Sequence, residues 1–249
     1  MSGHSKWSQI KRQKGAADVK RGAVFSKLTN AIIVAAKNGG DPNSNFTLKM
    51  AIEKARAENM PKETIDRAVK RGTGEIGGAA IDEVLYEAIG PENIGILIEA
   101  ATDNKNRTTS EVKNTLIKFG AKLAGSGAVS YQFVKSGKIL VEMTGKDRDE
   151  VELLAIDAGA QDFDEHGKDL AIYTKPNELK IVKEALENQR MIVNEAVLSW
   201  EPQATIEISQ QSVSQKIIEL MDALESLEDV TNIYANFDIK EEHIENIGN

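Results

Sequence analysis

Hydrophobic positions change their period along the chain, and the change marks out its parts. Up to about residue 72 they recur at helical spacing. Val24, Leu28 and Ile32 stand four apart with Phe25 beside them, which predicts a helix from about Ala16 to the Lys37-Asn38-Gly39-Gly40 stop. Asp41-Pro42-Asn43-Ser44 reads as a turn into a second helix carrying Leu48, Ile52 and Ala55. Pro61 ends that helix and suits the first turn of a third, which sets Ile65, Ala68 and Val69 inward and closes at Gly72. On the third helix Arg67, Lys70 and Arg71 fall at i, i+3 and i+4 and are expected to share one outward face.

Beyond a glycine-rich hinge, residues 72–80, the period shortens. Val84-Leu85-Tyr86 and Ile94 to Ala101 read as strands. Thr108 and Glu111 have capping-box spacing ahead of a helix with Val112, Leu116 and Phe119 on one face. Gly120 stops that helix, and Val129, Tyr131 and Phe133 alternate as a strand. A second unit follows: strand Ile139-Leu140-Val141, a helix from about Arg148, a charged hairpin from Asp162 to Tyr173, a helix over about 177–188, and a strand from Met191 to Trp200. That order is the βαββαβ of a ferredoxin-like module. After Pro202 come a strand at Thr205 to Ile208, a helix with Val213, Ile217, Leu220, Leu224 and Leu227 in one stripe, and a last strand placing Ile233, Ala235, Phe237 and Ile239 on one face. The first unit lacks a second helix and a final strand, and this terminal segment supplies them. The expected fold is therefore α+β: an N-terminal three-helix domain with a basic arm, then two ferredoxin-like α/β modules, one inserted into the other. The expected divisions are 1–77, the split domain 78–133 plus 203–240, the inserted domain 134–202, and a tail, 241–249.

Charge sharpens this picture. The net charge of −8 conceals a basic head: residues 1–74 carry 15 Lys/Arg against 6 Asp/Glu, a net of +9, while the remaining 16 and 33 give −17. An acidic body repels phosphate and a basic head attracts it, so a polyanion should be met head-first. Between His4 and Arg21 lie six cations, Lys6, Lys11, Arg12, Lys14, Lys20 and Arg21, and a single acid, Asp18. Trp7 and Ile10 are the sizeable apolar side chains before Val19, too few for a core. The segment reads as a nucleic-acid-gripping arm whose Trp7 stacks on a base; the bland alternative is a solvated tail with Trp7 folded back on the first helix. The chain has no cysteine, no apolar run long enough to span a bilayer and no apolar secretory leader, which points to the cytoplasm.

Catalytic constellations do not emerge. His4, His166 and His243 are far apart, and no GK[ST] phosphate loop or nucleophile elbow occurs. Asp162, Asp164, Glu165 and His166 could hold a divalent ion, but alternation along a solvated hairpin explains them more simply. Gly72-Thr73-Gly74-Glu75-Ile76-Gly77 spells the dinucleotide fingerprint, yet it follows a helix and precedes a strand, the wrong context for holding pyrophosphate. No enzyme, cofactor, metal or small-molecule substrate is expected. One loop offers donors: Thr102-Asp103-Asn104-Lys105-Asn106-Arg107-Thr108, between a strand and a helix. Asn104, Lys105, Asn106 and Arg107 could meet phosphate or a base edge, or Asp103 and the asparagines could close Asx turns and cap the helix.

Four separated motifs carry a family resemblance over nearly the whole chain. They are Gly3-His4-Ser5-Lys6-Trp7; Asn59-Met60-Pro61-Lys62 with Arg71-Gly72-Thr73-Gly74-Glu75; Thr102-Asp103-Asn104 with Asn106-Arg107-Thr108; and Tyr234-Ala235-Asn236-Phe237. In these the chain resembles the YebC/PmpR family, bacterial relatives of the mitochondrial translational activator of cytochrome oxidase subunit I. The resemblance implies three domains and a regulator of gene expression, usually described as a DNA-binding transcriptional regulator. Some members look instead like translation factors on the ribosome. The nucleic-acid-binding candidates are thus Lys6, Trp7, Lys11, Arg12, Lys14, Lys20, Arg21, Arg67, Lys70, Arg71 and Asn104 to Arg107, on a monomer facing DNA or ribosomal RNA. A pure protein adaptor would leave the basic head without a purpose.

Overall fold

A computed structural model describes residues 21–240; Lys6, Trp7, Lys11, Arg12, Lys14, Lys20 and the tail 241–249 lie outside the described residues. The head consists of α1 (Arg21–Ala36), α2 (Phe46–Ala57) and α3 (Lys62–Gly72). Helix α1 stops where the glycine signal stands, with the N–H of Gly39 on the carbonyl of Ala36. Asn45 caps α2 by accepting from the N–H of Leu48. Leu28, Ile32, Leu48, Ile52, Ile65 and Ala68 form one core, the face that their spacing predicts. Buried Ile81 and Ala101 of the following domain join the same core, so the head is docked by apolar packing. Polar contacts reinforce the seam: Lys27 donates to the carbonyl of Glu225, Asn30 to that of Ala101 at 3.1 Å, and Lys37 to that of Ile81.

The first sheet combines β1 (Asp82–Ile89), β2 (Gly95–Thr102), β3 (Lys122–Ala124) and β9 (Val230–Ala235) in the antiparallel order β3-β1-β2-β9. Helices α4 (Lys105–Lys118) and α7 (Gln211–Glu225) bury Val112, Leu116, Ile217, Leu220 and Leu224 against one face of it. Chain beyond residue 202 thus completes a sheet begun at residue 82. The last strand differs from the expected single run. Its four inward residues, Ile233, Ala235, Phe237 and Ile239, are all buried, but the chain breaks at Asn236. Asn236 accepts from the N–H of Gly95 and donates to Gln132, and β10 (Phe237–Ile239) then pairs in parallel with β8 (Ile206–Ile208).

The second sheet holds β4 (Phe133–Glu142), β5 (Asp162–His166), β6 (Asp169–Thr174) and β7 (Val193–Pro202), ordered β5-β6-β4-β7 and antiparallel throughout. With α5 (Arg148–Asp157) and α6 (Leu179–Asn188) on one face, this is the ferredoxin-like arrangement. The expected strand at Val129 to Phe133 is not formed. Buried Glu87 accepts the N–H groups of Gly127, Val129 and Ser130 at 2.7, 2.7 and 2.9 Å, which folds this stretch into a turn. A 3-10 turn over Ser130–Gln132 follows, and β4 begins only at Phe133, running through the strand expected at Ile139. The edge of the first sheet is instead the short β3. Burial opposes the charge on Glu87, but these backbone donors outweigh it and hold its carboxyl below the usual glutamate range.

The two sheets meet at Glu99, whose carboxylate accepts from Trp200 Nε1 at 2.9 Å, Asn232 Nδ2 at 2.9 Å and Tyr234 Oη at 3.2 Å. The head also reaches the second sheet's domain. Phe46 and Met50 of α2 pack on its core, and Lys183, only 5% exposed, bridges Glu53 of α2 at 3.3 Å and Glu187 at 2.9 Å.

Candidate nucleic-acid interface

The donor loop folds around a buried acid that sequence reading missed. Asn104, not Thr108, is the N-cap of α4, accepting from the N–H of Arg107 at 3.1 Å. Thr108 lies inside the first turn, fully buried, so the capping box expected of Thr108 and Glu111 is replaced. Its hydroxyl donates to Asp229 Oδ2 at 2.6 Å, Thr102 donates to the same oxygen at 3.0 Å, and Arg107 Nη2 reaches it at 2.7 Å. Arg107 also pairs with Asp103 at 3.0 Å while its side chain stays 46% exposed. Desolvation raises the cost of charge on Asp229, yet hydrogen bonds from Thr108, Arg107 and Thr102 prevail and hold its pKa down. Asp229 in turn keeps the Arg107 guanidinium firmly protonated. Asp229 is 127 residues from Thr102 in sequence, so no local spacing could have signalled the pair.

The four candidates here divide. Asn104 is used as a cap, the structural role that Asx chemistry suggested, and Arg107 as an ion-pair partner. Lys105 pairs with Asp82 at 3.2 Å in a solvated setting, and Asn106 is exposed. The loop therefore offers the outer edge of Arg107 and the side chain of Asn106 to a ligand, rather than a full ring of donors.

On α3 the expected shared face is divided too. Arg67 and Lys70 are exposed. Arg71 turns inward, donating Nη2 to the carbonyl of Ala79 at 2.7 Å and lying against Gly78, where a Cβ would fall 2.6 Å from Nε. It thereby clamps the linker that leads from head to body. The fingerprint-like glycines do not present a phosphate cradle, because the N–H groups of Glu75 and Ile76 are spent on the carbonyl of Lys70 at the end of α3. Arg21 opens α1.

Arg71 and Arg107 nevertheless face one cleft of about 510 Å³, between α1 (Ser26, Thr29, Asn30) and the body. Asp103, Glu111, Glu228 and Asp229 line it as well, so carboxylates outnumber guanidiniums. Such a cleft does not suit a phosphate group by charge alone. On the hairpin, Glu165 pairs with Arg148 and His166 is buried. Among the described residues no group of three or more His, Asp or Glu is placed to hold a metal ion, and no helix is long and apolar enough to cross a membrane.

A helical head that carries the solvated cations Arg67 and Lys70 is docked on two antiparallel α/β layers. The chain belongs to the TACO1/YebC family: its N-terminal domain model matches residues 5–75, and the model of its second and third domains matches residues 81–237. It is 47% identical over 247 residues, 98% of this chain and all of the relative, to a probable transcriptional regulatory protein of Thermoanaerobacter pseudethanolicus. A relative of the same description in Aquifex aeolicus is 45% identical over the full length of both chains. The crystal structure of the conserved hypothetical protein Aq1575 from Aquifex aeolicus superposes with a TM-score of 0.84 at 43% identity, covering 90% of this chain and 93% of that one.

Proposed function

We propose that the protein is a non-catalytic regulator of gene expression that binds nucleic acid through its basic head. The observation that carries this reading is the segregation of charge: net +9 on residues 1–74 and −17 on the rest. Arg67 and Lys70, exposed on α3, add to the positive charge of the head. The relatives' description as probable transcriptional regulatory proteins supports a DNA target. The head makes phosphate contacts, which position a protein on its target, and Trp7 adds sequence-tolerant stacking.

A second target, folded ribosomal RNA, is favoured by α3 itself. A recognition helix reads base edges with its N-terminal turns, but those of α3 carry Glu63 and Asp66 beside Lys62. A cationic arm with one aromatic suits unstacked bases in RNA at least as well as a duplex groove. The deciding experiment compares binding to a promoter-length duplex with co-sedimentation on ribosomes at physiological salt. Retention by the duplex alone supports transcriptional control, retention by ribosomes alone supports translational control, and binding to neither contradicts the proposal.

A further inference from the structure

Two turns lie side by side at the end of the second sheet away from Phe133 and Pro202, where the chain enters and leaves it. From Phe133, β4 runs 10 residues to Glu142, a span of roughly 30 Å. Thr144-Gly145-Lys146 follows and leads into α5, while the β5–β6 hairpin turns at Gly167-Lys168. The N–H of Met143 ties the two turns by donating to the carbonyl of Lys168 at 3.2 Å. Each turn has a glycine in the left-handed region, Gly145 at φ +70° and Gly167 at φ +65°, and each follows it with a lysine. A Cβ at either glycine would meet nothing within 4 Å, so the backbone there is open to an approaching ligand. Both turns line one cleft of about 470 Å³, together with Arg148, Glu165 and Asp169. Its acids are engaged: Glu165 accepts from Arg148, and buried Asp169 accepts from Asn194 Nδ2 at 3.0 Å. Lys146 and Lys168 are exposed and make no ion pair among the described residues. Three cations thus face two committed carboxylates, although residues 134–202 as a whole carry 9 Lys/Arg against 15 Asp/Glu.

We propose that this cleft binds a phosphate group. Lys146 and Lys168 bring uncommitted positive charge from the two turns, and a lysine ammonium meets phosphate as a point charge. Thr144 lines the same cleft and adds a hydroxyl donor. Turns with a left-handed residue are the kind of backbone that forms anion-binding concavities. Arg148, held by Glu152 and Glu165, adds to the local field without being free to wrap the ligand. A backbone phosphate of nucleic acid and a free nucleotide offer this same chemistry. With a polynucleotide the cleft becomes a second contact on the ligand that the basic head grips, a consequence that rests on the head reading, and two linked contacts hold more tightly than either alone.

The test is an amide NMR titration of the full chain with sodium pyrophosphate and, separately, with a 20-nucleotide single strand. Saturable shifts of the Thr144, Gly145, Gly167 and Lys168 amides are expected. Lys146→Gln combined with Lys168→Gln should weaken that binding about tenfold or more, since both charge-assisted contacts are lost. Shifts with pyrophosphate alone uphold the site and assign it to a free phosphate compound; shifts with the strand uphold it and assign it to nucleic acid. For the strand, the double variant should also lower the slope of log K against log salt by about 1.4, two contacts at about 0.7 each. A strand that binds nowhere contradicts the head reading, and the pyrophosphate titration then decides the cleft. No shift at these four amides with either ligand, or equal affinity in the double variant, would overturn the proposal.

Discussion

Asp229 ties its own turn to the distant loop 102–108, because its carboxylate collects Thr102, Thr108 and Arg107 at once. The hydroxyl donors are buried, whereas Arg107 is half in solvent, so removal of each should weigh differently. Asp229→Asn leaves buried hydroxyls poorly paired and should cost about 1–3 kcal/mol in denaturant unfolding. Arg107→Ala should cost less than Asp229→Asn, as solvated ion pairs contribute little. A larger loss at Arg107 than at Asp229 would contradict this ordering. The pH dependence follows from the depressed pKa of Asp229. Its stabilisation is fully present above the unfolded value of about 3.9 and is lost as pH falls through the lower folded value. The melting-temperature gap between the unaltered protein and Asp229→Asn should therefore be widest near neutrality and should narrow below about pH 4, in the window set by that reference value. Glu87, also held down, should behave with the same sign.

Helices and strands show what could be read in advance. Helix α1 crosses α3 at Gly72, where a Cβ would collide with the carbonyl oxygen of Ile33 and fall 2.6 Å from the Cβ of Ala36. Gly72→Ala should accordingly destabilise by about 1–3 kcal/mol in thermal or urea melts, although alanine is the better helix former. A stabilised Gly72→Ala variant would mean that the crossing relaxes freely. The three head helices, the second βαββαβ unit and the α7 stripe were legible because each buries one face, and burial imposes a period. What escaped was set by partners outside the element concerned. The alternation of Val129, Tyr131 and Phe133 matched a strand, but Glu87 drew the amides of 127, 129 and 130 into a turn. Arg71 had the spacing of a surface cation, but the carbonyl of Ala79 turned it inward. The cap at Asn104 was among the alternatives, whereas Asp229 was invisible until the fold placed it under Thr108.

At the scale of the whole molecule, we propose that residues 134–202 fold as a unit, since their four strands pair with one another and carry their own two helices. Expressed alone, 134–202 should melt cooperatively, and 78–133 should not, because β9 lies outside it. Cooperative melting of 78–133 would contradict that division. In the proposed reading the body is an acidic platform and the cationic head does the binding. The most direct test of that claim is the salt dependence of nucleic-acid affinity after Lys11, Arg12 and Lys14 are all changed to Glu. Each phosphate contact contributes about 0.9 to the slope of log K against log salt on duplex DNA, and about 0.7 on single strands. The triple reversal should flatten that slope by roughly two to three units while leaving the melting of the folded body unchanged. An unaltered slope and affinity, on duplex DNA and on ribosomes alike, would contradict the account.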